Sequence, residues 1–384
     1  MYIFSIILLS LAALVWFFYG LRTAWGALHL PWLRDISPAL DDECPFISIL
    51  FTARDEEEKL SRAIATLLAL DYPCYEIIAV DDRSVDSTGR ILEELARIHP
   101  RLRVIHISQL PPGWLGKPHG LQKAWEQSSG EWLVFTDADA RFSSDILRRS
   151  ISLARMHGWD HLTLLGQVEM VGFWETVSIT FLGLGFYLAT DPYRVSDPRS
   201  RRYLGIGAFQ LLRRTAYEAS GTHRRLAVEV VDDMKLGKIV KLSGFRSGVA
   251  VAPEAVSVRW HAGLGNLVRG VTKNFFAASG FNPLMVIVQL LTLVSVSITP
   301  FVALFFTHGV SFTLAVVSTV IAVCFHSGVA IAMRVSPLYG LTHPLGAVIF
   351  SYMLLRSMAV TLWLRGIIWR GTFYPLEELR RGRV

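Results

Sequence analysis

Apolar residues along this chain follow two regimes. At the ends they form long unbroken runs, and in the middle they alternate between a period of two and a period near 3.6. Residues 2–19, YIFSIILLSLAALVWFFY, carry no charge and are long enough to cross a bilayer. No basic segment precedes this run and no A-x-A-like site follows it, so residues 1–24 are expected to stay as an anchor rather than be cleaved. Three further runs, 281–306, 311–333 and 343–364, form a C-terminal helical segment over 281–366. The first two read as spans. The third contains Arg356 and reads as interfacial or as facing the interior of a bundle. Residues 367–384 form a basic tail, expected on the cytoplasmic side with the arginine-rich middle of the chain. An anchor followed by three spans would instead put that tail on the far side. The pattern therefore requires that one C-terminal run does not span, or that 281–334 hides an extra crossing.

Between the ends the period switches repeatedly. Strand-like runs at 46–53, 75–82, 101–108 and 131–139 are separated by helix-like runs at 56–70, 86–99 and 117–129, with another helix at 143–158. Such alternation predicts βαβ units: an α/β, Rossmann-like domain over 45–275 with a mostly parallel sheet. Ligands of these sheets bind beyond the carboxyl ends of the strands. Two acidic pairs fall there, Asp81-Asp82 and Asp137/Asp139. Carboxylates at i and i+2 on a strand share a side and repel unless a cation lies between them. A hard divalent ion, Mg2+ or Mn2+, is the usual remedy, although an isolated DxD is more often a solvated turn. Neither GxGxxG nor GxxxxGK[ST] occurs, which excludes the dinucleotide and P-loop modes of phosphate binding.

Composition sharpens this reading. Of the 384 residues, 52% are hydrophobic, which fits a chain partly in lipid. The net charge of +6 suits an anionic membrane face or a phosphate-bearing substrate. No basic run interleaved with aromatics suggests nucleic-acid binding. Cys44, Cys74 and Cys324 are too scattered for a disulfide framework or a zinc site.

The ordered blocks ISILFTARDEEEKLSRAIATLLALDYPCYEIIAVDDRSVDST, WLGKPHGLQKAWEQSSGEWLVFTDADA, GIGAFQLLRRTAYEASG and VVDDMKLGKIVKLSGFR resemble the family 2 glycosyltransferases, inverting enzymes of GT-A fold. With the flanking membrane runs and GFWE, the likeness is to members that glycosylate lipids, the hopanoid-associated, carotenoid and ceramide glucosyltransferase-like enzymes. The resemblance implies a membrane-bound enzyme that moves a single sugar from a nucleotide-sugar donor, a UDP-hexose, to a hydroxyl of a membrane lipid. It also implies a catalytic domain on the cytoplasmic side of a bacterial plasma membrane.

The resemblance carries roles onto matching positions. Asp81 and Asp82 would hold the uracil and ribose, and Asp137 the ribose or sugar. Asp139 would take Mg2+ or Mn2+ on the diphosphate, with Lys117 approaching the phosphates. Arg54 and Glu56 would open the nucleotide site. Gly205, Gly207, Ala208 and Phe209 match the acceptor-side segment, where the glycines allow close backbone approach. In VVDDMKLG, Asp232 takes the position of the family's glutamate and Asp233 that of the general base. One departure is plain: many membrane members carry QxxRW, but Val256 stands at the Gln position before Arg259-Trp260, and NLVRG at 266–270 lacks both Gln and Trp. Arg269 and Lys273 then become candidates for the leaving diphosphate, and His261 for a metal or diphosphate contact. The departure favours single transfer over a processive polysaccharide synthase. A non-catalytic sugar-binding membrane protein and a transporter are the rival functions from other classes.

Overall fold

The computed structural model describes residues 2–382 and 384; Met1 of the expected anchor and Arg383 of the tail lie outside the described residues. Seven strands form the central sheet: β1 (Ile47–Ala53), β2 (Tyr75–Asp82), β3 (Leu102–Ile107), β4 (Trp132–Phe135), β5 (His161–Leu165), β6 (Gln210–Arg213) and β7 (Ser247–Val251). Their order across the sheet is β3-β2-β1-β4-β6-β5-β7. All neighbours are parallel except β6, which runs antiparallel to β4 and β5.

Strict alternation within each strand explains why both faces are covered. Ile49 and Phe51, Ile77 and Ala79, and Trp132 and Val134 enter one helix-covered core. Leu50, Ile78, Val80, Leu133 and Phe135 enter the other. Each fully buried large side chain contributes about 1.5–3 kcal/mol, so the sheet is held from both sides. Register then sets the working edge: Ala53 lies beside Asp81 and Leu50 beside Phe135. The ends of β1, β2 and β4 therefore open on one rim.

Four helical stretches are long and apolar enough to cross a membrane: Ile3–Leu28, Pro283–Phe306, Gly309–Ala332 and Pro337–Leu364. The first three are aligned end to end. Ser5 meets Ser311 and Leu9 packs with Ala303 and Ala315 at the end remote from the sheet. At the near end, Met333 O accepts from the Gln167 amide and Arg334 pairs with Glu254.

The fourth stretch behaves differently. It folds back along its predecessor, with Gly340 against Ser327, reaches His343 beside His326 and Trp16, then returns to Ser357, which donates to Thr272 O at 2.5 Å. Both of its ends thus lie on the side of the sheet. After it, Gly366–Trp369 and Thr372–Pro375 form a hairpin followed by a short helix, Leu376–Arg381. The last residue is held by the sheet domain, where Lys235 and Lys238 donate to Val384 O and Val384 N–H donates to Glu229. This fold-back is how a basic tail shares a side with the arginine-rich middle. A helix from Phe173 to Thr190 packs between the sheet domain and the membrane helices.

Candidate active site

The loops after β1 and β2 are stitched together by their own polar side chains. Asp55 N–H donates to Ser84 Oγ, Val85 N–H to Asp55 Oδ1, Glu56 N–H to Thr88 Oγ1 and Glu57 N–H to Asp86 Oδ2. Asp55 and Arg83 take positive φ, 53° and 59°, which turns each chain sharply off its strand. The two members of the Asp81-Asp82 pair part company here. Asp81 accepts from Ser84 N–H and pairs with His106 at 3.0 Å, away from the cavity. His106 is pushed up by its bond to Glu93 and, against burial, by Asp81. Asp82 lines the cavity and is gripped by Arg83 at 2.7 and 2.9 Å.

At the end of β4 the backbone leaves the strand at Phe135, so Asp137 and Asp139 stand on a turn rather than on the strand itself. Each of the two carboxylates is paired with a lysine of its own. Lys117 Nζ donates to Asp137 Oδ1 at 2.5 Å, and Lys59 Nζ to Asp139 Oδ2 at 2.8 Å and to Arg259 O at 3.2 Å. Burial works against the charge of Lys117, but Asp137, Asp232 and Asp233 outweigh it and hold its pKa above the usual lysine value. Sequence reasoning missed Lys59. Its position one turn into a helix that starts at the sheet rim was the available signal.

The acceptor-side segment is anchored from below. Thr136 Oγ1 donates to Ala208 O, Thr163 Oγ1 to Phe209 O, and Ile206 N–H to Thr163 Oγ1. Phe209 is buried in the core and so positions the segment. Two glycines leave little room: a Cβ on Gly205 would stand 2.0 Å from the backbone oxygen Asp233 O, and one on Gly207 2.6 Å from the side-chain oxygen Asp137 Oδ2. That clearance lets Gly207 N–H donate to Asp233 Oδ2 at 3.0 Å while Met234 N–H holds Oδ1 at 2.8 Å.

Asp233 is therefore fixed in orientation at the N-terminus of the helix Asp232–Leu242. Asp232 beside it is buried, and burial together with Asp233 raises its pKa against the pull of Lys117. Lys273 completes this group: desolvation, helped by Lys117 and Arg370, pushes it down to about 8 although Asp232 and Asp233 oppose the shift.

The arginines offered by the sequence after the base turn elsewhere. Arg259 approaches buried Glu175 at 3.8 Å, and Arg269 donates to Asn266 on the exposed face of its helix. Glu175, from GFWE, also accepts from Gly263 N–H at 2.9 Å and so positions the 260–263 turn. Trp260 and His261 on that turn line the cavity, and burial with nearby Lys273 pushes His261 down to about 4. Arg54 and Glu56 line the cavity as expected. Burial raises Glu56, while Arg370 of the C-terminal hairpin pairs with it and opposes the rise.

These groups open on a single cavity of about 2370 Å³. From Asp139, Lys117 and Asp233 it continues between the membrane helices, along Gln289, Ser297, Phe325 and Gly328. Among the described residues no three His, Cys, Asp or Glu side chains cluster as a metal cage. Asp139 offers one carboxylate. That suits a hard ion whose remaining ligands are diphosphate oxygens and water, the way Mg2+ is commonly bound.

Comparison with known proteins bears on the fold and the family. A solved structure of the mannosyltransferase PcManGT from Pyrobaculum calidifontis, in complex with GDP-Man and Mn2+, shares the fold with a TM-score of 0.55 at 19% identity, over 94% of this chain and 99% of that one. The sheet is thus of GT-A type. The beta-monoglucosyldiacylglycerol synthase of Synechocystis sp. is 27% identical over 64% of this chain and 53% of its own length. The synthase of the same name from Nostoc sp. is 34% identical over 36% of this chain and 30% of its own. The chain thus spans about half or less of the length of these curated relatives. Residues 45–279 match the family "Glycosyltransferase like family 2", and the chain belongs to that family.

Proposed function

We propose that the protein transfers a single hexose from a nucleotide-sugar donor, a UDP-sugar, to the hydroxyl of a membrane lipid, with inversion at the anomeric carbon. The observation that carries this reading is the continuity of the cavity: the carboxylates at the sheet rim and the apolar space between the membrane helices are one chamber. A polar donor enters from the rim, and a lipid hydroxyl reaches the same point from the bilayer. The names of the curated relatives, synthases of a monoglucosylated diacylglycerol, point to an acceptor of diacylglycerol type.

In this reaction Asp233 accepts the proton of the acceptor hydroxyl as its oxygen bonds to C1, while the bond from C1 to the diphosphate oxygen breaks and the nucleoside diphosphate departs. The amides of Gly207 and Met234 hold the base in place, and Lys117 and Lys273 supply positive charge on the diphosphate side. Asp82, Arg54 and Glu56 border the nucleoside, with Asp137 between ribose and sugar. A divalent ion held by Asp139, Mg2+ or Mn2+, would offset charge on the departing diphosphate. The sheet domain and tail face the cytoplasm. Three stretches cross the membrane and the fourth re-enters from the cytoplasmic side.

The test is to incubate detergent-purified protein with UDP-glucose or UDP-galactose and diacylglycerol in mixed micelles. A monoglycosylated lipid with β configuration, lost in Asp233→Asn, is expected. An α-configured product, or faster transfer to a water-soluble alcohol than to any lipid, refutes the reading.

A further inference from the structure

The C-terminal hairpin pairs Trp369 with Thr372, so its turn consists of Arg370-Gly371 alone. Both residues have positive φ, 49° and 75°. Two-residue turns of this hand suit the twist of a hairpin and favour Asn-Gly or Gly-Gly. Glycine takes the conformation freely, but an arginine there costs about 1–2 kcal/mol. Strain of this kind persists where surrounding contacts enforce it and is a pointer to function.

Those contacts lead to the candidate active site. The Arg370 guanidinium donates to the Glu56 carboxylate and to Arg54 O, both on the loop after β1. Arg54 reaches Thr372 Oγ1 at 3.5 Å, and the Lys273 ammonium lies 4.1 Å over the Trp369 ring. Trp369, Arg370 and Tyr374 line the same cavity as Asp139 and Lys117. Beneath the hairpin, Ile367, Tyr374, Leu376 and Leu379 pack with Phe276, Phe281 and Leu354, which ties the tip to the membrane helices. Arg370 contributes nothing to that packing. Its charge is felt at Lys273 and His261, both of which it depresses, and all three side chains line the same cavity.

We infer that Arg370, carried by the C-terminal hairpin, binds the diphosphate of the donor and takes the place left by Arg259 and Arg269, which face away from the cavity. This rests on the nucleotide-sugar reading above. A guanidinium presents a rigid fork of N–H donors that matches phosphate oxygens. Glu56 holds the fork in position until the donor arrives. The Arg370 side chain is 42% exposed and that of Glu56 16%, so the guanidinium can turn from solvent towards a diphosphate while the carboxylate stays largely buried.

Calorimetry on the full-length, detergent-purified protein tests this with UDP, GDP and ADP and with the matching nucleosides, the latter by competition. Arg370→Ala should weaken the preferred nucleoside diphosphate by about tenfold to a hundredfold. The nucleoside alone should bind as it does to the unaltered protein, which also shows that the site is still folded. Arg370→Lys should recover part of the loss, because it keeps the charge but not the fork. Undiminished diphosphate binding in Arg370→Ala overturns the assignment, as does an equal loss for nucleoside and diphosphate. If the unaltered protein binds no nucleoside diphosphate, the nucleotide-sugar reading falls and takes this assignment with it; diphosphate binding that ignores Arg370 overturns this assignment alone.

Discussion

Lys59 Nζ lies 2.8 Å from Asp139 Oδ2, so the carboxylate proposed for the metal is already neutralised by an amine from the first helix of the sheet domain. A divalent ion at this carboxylate would compete with the ammonium for its charge. The Lys59 side chain is 40% exposed, and such a pair is worth about 0.2–1 kcal/mol. Lys59→Ala should therefore tighten Mn2+-dependent UDP binding by about 1.5- to 5-fold. Asp139→Ala should remove the metal dependence altogether. Calorimetric titration of UDP with and without Mn2+ measures both, and metal-stimulated binding that survives Asp139→Ala would count against this carboxylate as the ligand.

Asp232 supplies a pH signature. Burial raises its pKa above that of an ordinary carboxylate, so the folded state favours the protonated form. The stability this group contributes is full below the unfolded carboxylate value and is lost as pH rises through the raised one. Asp232→Asn removes the proton from this balance. Thermal unfolding of the unaltered protein in detergent should lose more of its midpoint between pH 5 and pH 9 than unfolding of the variant does. Parallel curves would show that Asp232 ionises as a solvated carboxylate.

Much of this arrangement is legible in the chain itself. Period-two runs mark β1, β2 and β4, and alternation within them marks the two cores. The conflict over the tail asks for a C-terminal run that does not span or for an extra crossing in 281–334, and Pro337–Leu364, although long and apolar enough to cross, has both ends on the side of the sheet. At the end of β2 the sequence pairs Asp81 with Asp82 at the nucleotide, whereas only Asp82 lines the cavity. Which of them does depends on His106, a partner on the neighbouring strand, and no local pattern shows that. The same holds for the hairpin. WRGTFY contains a two-residue turn signal, yet its docking on Glu56 joins positions 314 apart in sequence. Arg269 looks equivalent to Lys273 in the sequence, but the helix Gly263–Val271 ends between them, which leaves Arg269 in solvent with Asn266 and Lys273 beside Asp232.

The two acceptor-side glycines should fail in different ways. A Cβ on Gly205 meets backbone, the Asp233 carbonyl at 2.0 Å, and backbone cannot yield locally. Gly205→Ala should cost about 1–3 kcal/mol of stability, visible as a lower unfolding midpoint. A Cβ on Gly207 meets the end of the Asp137 side chain, which can swing away. Gly207→Ala should keep the midpoint within about 0.5 kcal/mol and lose transferase activity, since Asp137 leaves Lys117 and the amide that orients Asp233 moves. Equal loss of stability in both variants would mean that Asp137 is as rigid as backbone.

Gly328 tests the proposed path of the acceptor without touching the donor. It lies on the span Gly309–Ala332, lines the chamber, and a Cβ placed on it would meet no atom within 4 Å. A large side chain can therefore occupy the chamber at this point without forcing the helices apart. Gly328→Phe should raise KM for a lipid acceptor by about tenfold, equivalent to losing the burial of one or two methylenes of acyl chain. Nucleotide affinity, governed by residues at the sheet rim, should stay unchanged. Steady-state transfer to diacylglycerol in mixed micelles, set beside UDP binding by the same preparation, separates the two effects. An unchanged KM for the lipid would mean that the acceptor reaches Asp233 by a route other than the space between the membrane helices. A parallel loss of UDP affinity would mean that the bundle and the sheet rim are mechanically linked, and the chamber would then have to be read as one deformable unit rather than as two entrances to a fixed point.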